Sequence, residues 1–215
     1  MPDLSFHIDD AVVPEFSATP TIAFKLRLRN LAPGEAIHTV SLHSQIQIEV
    51  TRRSYTNEDK EKLRDLFGPS HRWSQTLRNL LWTNVDINVR GFADNILVDL
   101  PVPCTFDFNV AATKYFHALG DGDVPLCMMF SGTVFYSGNG GTFQVAPISW
   151  DKEARFSLPV KVWRAMMDSY YPGGGWIQVR RDVFERLYAY KVRHEIATWE
   201  QALESMLEAE ETVRS

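Results

Sequence analysis

Between Thr39 and Val50 the chain alternates with a period of two. Val40, Leu42, Ile46, Ile48 and Val50 fall on one side, and Ser41, His43, Gln45, Gln47 and Glu49 on the other. Successive side chains of an extended strand point to opposite faces, whereas a helix repeats every 3.6 residues, so this spacing commits the segment to a sheet with one dry face and one wet face. Thr21–Arg29 repeats the pattern, with Ile22, Phe24, Leu26 and Leu28 set against Lys25, Arg27 and Arg29. The connection through Ala32-Pro33-Gly34-Glu35 is a turn signal. Two amphipathic strands joined so closely predict an antiparallel hairpin, since the link is too short for a parallel crossover.

Strand material continues downstream. Val85, Ile87 and Val89 alternate with Asp86, Asn88 and Arg90, and a short apolar run follows at 96–100. Cys104, Phe106, Phe108 and Val110 alternate with Thr105, Asp107 and Asn109, which predicts a further strand. From Leu126 to Tyr136 nearly every residue is apolar, as in a central strand covered on both faces. The stretch Ser137-Gly138-Asn139-Gly140-Gly141 permits a positive-φ turn, and Thr142 to Ile148 returns as the partner strand. About seven short strands with turn punctuation predict a β-sandwich or a strongly curved antiparallel sheet.

Helical spacing interrupts this pattern once and then takes over. An insertion at about 56–67 opens with Thr56 and Asp59 as a capping box, presents Leu63, Leu66 and Phe67 on one face, and stops at Gly68-Pro69. Its other residues, among them Glu58, Asp59, Lys60, Glu61, Lys62, Arg64 and Asp65, read as a solvated face or a charged docking surface. After Pro159, Trp163, Met166, Met167 and Tyr170 recur at helical spacing until Pro172-Gly173-Gly174-Gly175. Further helices are predicted over Asp182 to His194, with Val183, Phe184 and Leu187 inward, and from a Thr198 cap, with Leu203, Met206 and Leu207 packed. The whole reads as one α+β domain over 1–215, mainly β to about residue 157 and helical from 158 onward.

Composition narrows the function classes. A chain of 215 residues, 45% hydrophobic and 23% charged, is large enough for its own core and far from the composition of disorder. A formal charge of -5 repels phosphate, so no nucleic-acid partner is expected. The N-terminal residues are acidic where a signal peptide needs cations, and no run approaches the roughly 18 apolar residues of a spanning helix. The expectation is a cytoplasmic protein without membrane insertion. Cys104 and Cys127 are expected to be reduced and buried, being too few for a disulfide framework and not spaced as a CxxC pair.

Catalytic signals are missing. The histidines at 7, 38, 43, 71, 117 and 194 form no HExxH, and there is no GxSxG elbow, GxGxxG or GK[ST] loop. Asp121-Gly122-Asp123 lacks the further oxygen ligands of a calcium loop and reads as a turn. No catalytic residue, metal site or cofactor is therefore expected, and oligomeric state stays open. Two surfaces stand out as partner or ligand candidates. One is the aromatic link carrying Tyr170, Tyr171 and Trp176; the other is the basic run that starts at Arg180 and Arg181 and continues through Arg186, Lys191 and Arg193.

The segments RRSYTNEDKEKLRDLFG at 52–68, RWSQTL at 72–77, DLPVPCTFDFNVAATKYFHALGDGDVPLCMMFSGTVF at 99–135 and LPVKVWRAMMDSYYPGGGW at 158–176 resemble an uncharacterised bacterial domain family of unknown function. The resemblance covers nearly the whole chain and carries no catalytic residues. It implies a setting in gene clusters of oxygen-tolerant, high-affinity nickel-iron hydrogenases, and hence a protein partner such as a hydrogenase subunit or maturation factor. The expected function is a non-enzymatic accessory protein that binds another protein. The alternatives are a small-molecule-binding or enzymatic domain, with a pocket between the sheet and the C-terminal helices near Tyr170, Tyr171 and Trp176, and a peptide-binding chaperone.

Overall fold

The computed structural model describes residues 2–32, 35–105, 110–138, 141–174, 177 and 179–214. In chain order it contains β1 (Leu4–Val12), β2 (Thr21–Asn30), β3 (Ile37–Ile48), α1 (Asn57–Lys62), α2 (Arg64–Phe67) and α3 (Trp73–Thr76). There follow β4 (Leu80–Phe92), β5 (Asn95–Pro103), α4 (Val110–Ala118), β6 (Asp123–Ser137), β7 (Phe143–Pro147), β8 (Glu153–Pro159), α5 (Val160–Tyr170), α6 (Arg181–Arg193) and α7 (Trp199–Arg214). The chain divides into two compact units, Met1–Gly174 and Gly175–Ser215.

The first unit is an antiparallel β-sandwich with a helical insertion, as the strand periodicity predicts. A three-stranded sheet runs β1-β2-β5, and a five-stranded sheet runs β4-β3-β6-β7 with β8 also on β6. Their inner faces meet through aromatic rings. Phe6 of β1 stacks on Phe130 of β6 at 4.3 Å between centroids, and Phe24 of β2 meets Trp82 of β4 and Phe156 of β8 edge-on at 6.2 and 5.8 Å. Such pairs add directional preference to the area buried between the sheets. The continuous core runs from Leu4 to Met167, with Tyr170 packed against it.

The expected hairpin of 21–29 with 39–50 does not form. β2 pairs with β1 and β5, while β3 pairs with β4 and β6, so the link after Asn30 carries the chain from one sheet to the other. Alternation reports which face of a strand is dry. It does not report which neighbour takes the backbone hydrogen bonds, and two strands facing each other across a sandwich have the same pattern as two strands side by side. The passage from β4 to β5 through Ala93-Asp94 changes sheets in the same way, with Asn30 N–H donating to the Asp94 carbonyl at 2.8 Å.

Two further expectations change. The strand expected over Cys104–Val110 is absent at both described ends: Cys104 and Thr105 follow β5, and Val110 opens α4; residues 106–109 lie outside the described residues. The helix is set by Ala112, Tyr115, Phe116 and Leu119, a buried stripe at i, i+3, i+4 and i+7. β6 is central but dry on one face only. Leu126, Met128, Phe130, Val134 and Tyr136 point into the core, whereas Met129, Ser131, Thr133 and Phe135 lie on the more open outer face.

β6 pairs with β3 along one edge and serves two strands in turn on the other, β8 over 123–129 and β7 over 133–137. Gly132 is the changeover point. Its φ is +135°, and a Cβ there would sit 2.0 Å from the Ser41 carbonyl oxygen, so no side chain fits without moving β3.

In the second unit, Thr198 Oγ1 accepts from Gln201 N–H at 3.2 Å at the start of α7, as its cap position predicts. Trp199 packs its ring near Phe184 and Tyr188 of α6, at 5.4 and 6.3 Å. The expected burial is not reached: Phe184, Leu203 and Leu207 are exposed, and Ala202 is the only buried residue among those described in this unit.

Candidate functional site

The sequence candidates divide between the two units. Tyr170, at the end of α5, donates its hydroxyl to the Ser17 carbonyl at 2.6 Å and packs on the core, which makes it a brace for the β1–β2 loop. Tyr171 is partly exposed, and Trp176 lies outside the described residues. In the second unit Arg180 pairs with Asp182 at 3.1 Å and Arg181 with Glu185 at 3.0 Å, both across open solvent, where such pairs contribute little.

The groups best suited to chemistry are held in structural bonds. Tyr55 donates to the Val50 carbonyl at 2.7 Å and lies 2.8 Å from the Tyr115 hydroxyl, so Tyr115 is the donor between the two rings. Burial pushes Tyr115 up to about 12 and raises Tyr55 well above the ordinary phenol range, so both are neutral hydrogen-bonding groups at pH 7. Asp59, read from sequence as part of a solvated face, is buried. One oxygen accepts from Thr56 N–H at 3.0 Å and the other from Gly120 N–H at 2.9 Å, while Thr56 Oγ1 accepts from Asp59 N–H at 3.1 Å. Burial works against its ionised form, but the bonds from Gly120 and Thr56 outweigh it and hold the carboxyl below its ordinary range. Arg53 reaches over the Tyr55 ring to bond the Asp121 and Asp123 carbonyls, which fixes the predicted turn there.

The cysteines are free and buried, as expected. Burial raises the Cys104 thiol to about 12. Cys127, on β6, is raised by burial and then by the Glu153 and Glu49 carboxylates, and its thiol points at Glu153 Oε2 at 3.7 Å. Neither has the electropositive surroundings of a nucleophile. Among the described residues no group of His, Cys, Asp or Glu has metal-binding geometry. An open hollow of about 350 Å³ between the insertion and α4 is lined by Lys62, Asp65, Lys114, His117 and Ala118, but Lys62 and Lys114 are already paired with Glu58 and Asp65 at 2.6 Å. A small pocket of about 10 Å³ beside Cys104 and Trp163 has room for little more than one water.

The feature that periodicity did not bring out is the free edge of β7. Ile148 N–H donates to the Gly132 carbonyl and Gly138 N–H to the Thr142 carbonyl, each at 2.9 Å. Antiparallel bonds recur every second residue, so Thr142, Gln144, Ala146 and Ile148 turn their backbones toward β6, and Phe143, Val145 and Pro147 turn theirs outward. Among the described residues no strand pairs with that outer edge. The Phe143 and Val145 side chains are 66% and 55% exposed. Phe143 stacks near Phe135 at 6.0 Å and near His38 at 5.9 Å, and His38 is held at 2.7 Å from the Ser137 hydroxyl. An apolar, rigidly backed row thus adjoins unpaired backbone donors and acceptors. Pro147, which has no N–H, ends the edge. The sequence signal was present in the exposed positions of Phe143 and Val145 on a short strand next to a glycine-rich turn.

No curated protein matches the chain. Among solved structures, a Bordetella pertussis protein described as ApaA aligns at 14% identity over 73% of this chain and 93% of its own, with a TM-score of 0.26. Beta-glucosidase 3B of Thermotoga neapolitana aligns at 10% identity over 73% of this chain and 17% of its own, with a TM-score of 0.23. Scores this low bear on neither fold nor function. The family assignment rests on the sequence itself, which matches along its whole length, residues 1–215, and the chain belongs to the family of unknown function DUF6084.

Proposed function

We propose that this chain is a non-enzymatic accessory protein that binds another protein, and that the partner adds an extended segment to the free edge of β7. The carrying observation is the pairing of two features on one short strand: outward backbone groups at Phe143 and Val145, and exposed apolar side chains on the same two residues. Strand addition takes affinity from main-chain bonds and specificity from alternate side chains, and a five-residue strand ending in proline limits the added segment to a few residues. The partner we favour is a subunit or maturation factor of a nickel-iron hydrogenase, as the family resemblance implies, and we place the encounter in the cytoplasm. Structural engagement of Tyr55, Tyr115, Asp59 and both cysteines supports a binding role over a catalytic one.

Affinity capture from the native host with the wild-type chain and with Phe143→Glu/Val145→Lys tests this. A hydrogenase-cluster protein enriched by the wild type and lost with the double variant is the expected result. Equal recovery by both proteins removes the β7 edge from the proposal, and failure to enrich any such protein removes the partner.

A further inference from the structure

The free edge of β7 also specifies what can pair with it, an inference that rests on the strand-addition reading above. Edge strands are ordinarily guarded by a lysine or another charge against unwanted pairing. β7 carries no such guard: neither Phe143–Pro147 nor Thr133–Ser137, the β6 segment it pairs with, contains Asp, Glu, Lys or Arg. Its guards are instead its length of five residues and Pro147.

The face of each added residue follows from register. Val145 lies opposite Phe135, and Phe135 opposite Thr39, so Phe143 and Val145 stand on the outer face of the five-stranded sheet. Gln144 lies opposite Tyr136 and Ala146 opposite Val134, on the face that looks toward the core. A strand added beside β7 places alternate side chains on the same two faces. The residues across from Phe143 and Val145 extend a row already formed by Phe135, Phe143 and His38, where aromatic and β-branched cross-strand partners pack best. A charge there would be desolvated against uncharged neighbours. The residue between them meets Gln144, whose Oε1 accepts from the Tyr136 hydroxyl at 2.8 Å. That bond occupies the oxygen, and the amide N–H groups of this exposed residue are left to donate to a side-chain oxygen.

We infer that the partner segment is a three-residue strand motif, apolar–polar–apolar. Its first and third residues are aromatic or β-branched, and its second is Asn, Asp, Ser or Thr. It runs antiparallel to β7, as every other pair in that sheet does, because parallel pairing is the less stable arrangement. In that register the first residue exchanges two main-chain bonds with Val145 and the third exchanges two with Phe143, while the second turns its own N–H away.

Selection of a random heptapeptide display library on the full-length chain provides the test. Peptides whose retention is lost on Phe143→Glu/Val145→Lys should share the motif. On the wild-type chain, N-methylation of the first or third residue of such a peptide should weaken binding at least about tenfold, whereas N-methylation of the second should change it less than about twofold. Gln144→Glu keeps an acceptor for Tyr136 and replaces the amide donors by a carboxylate, so the selected second residue should change to Lys or Arg. Charged outer positions, an N-methylation effect that does not alternate, or an unchanged second residue on Gln144→Glu overturns the motif and leaves the edge as the docking site. An absence of peptides that depend on Phe143 and Val145 removes the edge itself, and the motif with it.

Discussion

At Gly132 the chain has no room for any other residue. A Cβ there combines a φ of +135° with a 2.0 Å approach to the Ser41 carbonyl, in the strand that joins β3 to both β7 and β8. We expect Gly132→Ala to cost about 3 kcal/mol or more in urea unfolding, since backbone strain and overpacking add. Ser44 is the opposite case. It replaces an apolar residue on the dry side of β3, is fully buried, and its hydroxyl has no hydrogen-bond partner among the described residues. Ser44→Ala removes an unpaired polar group at small loss of volume, so the expected outcome is unchanged or greater stability, by up to ~1 kcal/mol in the same measurement. A loss above that size would show that the hydroxyl has a partner.

The insertion shows how one carboxylate serves an element. Asp59 closes the capping box of α1 and also holds Gly120, so it ties the insertion to the loop after α4. Its carboxyl is held below the ordinary range, so the stability it contributes is present above the unfolded value near pH 4 and is lost as pH falls through the folded value. Asp59→Asn should flatten that acid limb of the stability curve and lower the neutral-pH unfolding free energy by about 2 kcal/mol, checked by urea melts at several pH values. The cap itself was legible in sequence, since Thr56 and Asp59 have the right spacing. The burial of Asp59 was not, because Gly120 lies far along the chain. The same division recurs elsewhere. β2, β3 and α5 were legible from period, β6 from its apolar run and β7 from the glycine-rich turn before it, whereas α4 was masked by the alternating approach through Phe106 and Phe108. The pairing of β2 with β5, and of β3 with β6, depends on loops that cross between sheets, and no local pattern records that. Of the candidate residues, Tyr170 was read from sequence as partner or ligand surface, and in the structure its hydroxyl donates to the Ser17 carbonyl, while the β7 edge emerged only once the backbone directions were known.

Across the whole molecule, the core lies within Leu4–Tyr170. A fragment ending at Gly174 should therefore fold, with a cooperative thermal transition and the near-ultraviolet dichroism of its packed Phe6–Phe130 and Phe116–Trp163 rings. A fragment that melts without cooperativity would show that the second unit is needed for the sandwich. Among the described residues no helix is long and apolar enough to cross a membrane. The surface that carries the proposed binding role is the outer edge of β7 in the first unit.

The two crossings between sheets have a consequence for synthesis. β2 finds β1 beside it as soon as both emerge, but its other edge waits for Asn95–Pro103, and β3 waits for Leu80–Phe92 on one side and for Asp123–Ser137 on the other. A ribosome therefore releases apolar strands well before it releases the strands that cover them. Growing chains that stall before Ser137 expose unpaired β-edges and are the species most prone to aggregate. The yield of native protein should rise when a chaperone shields those edges until Asp123–Ser137 has emerged, because strand order fixes which edges wait.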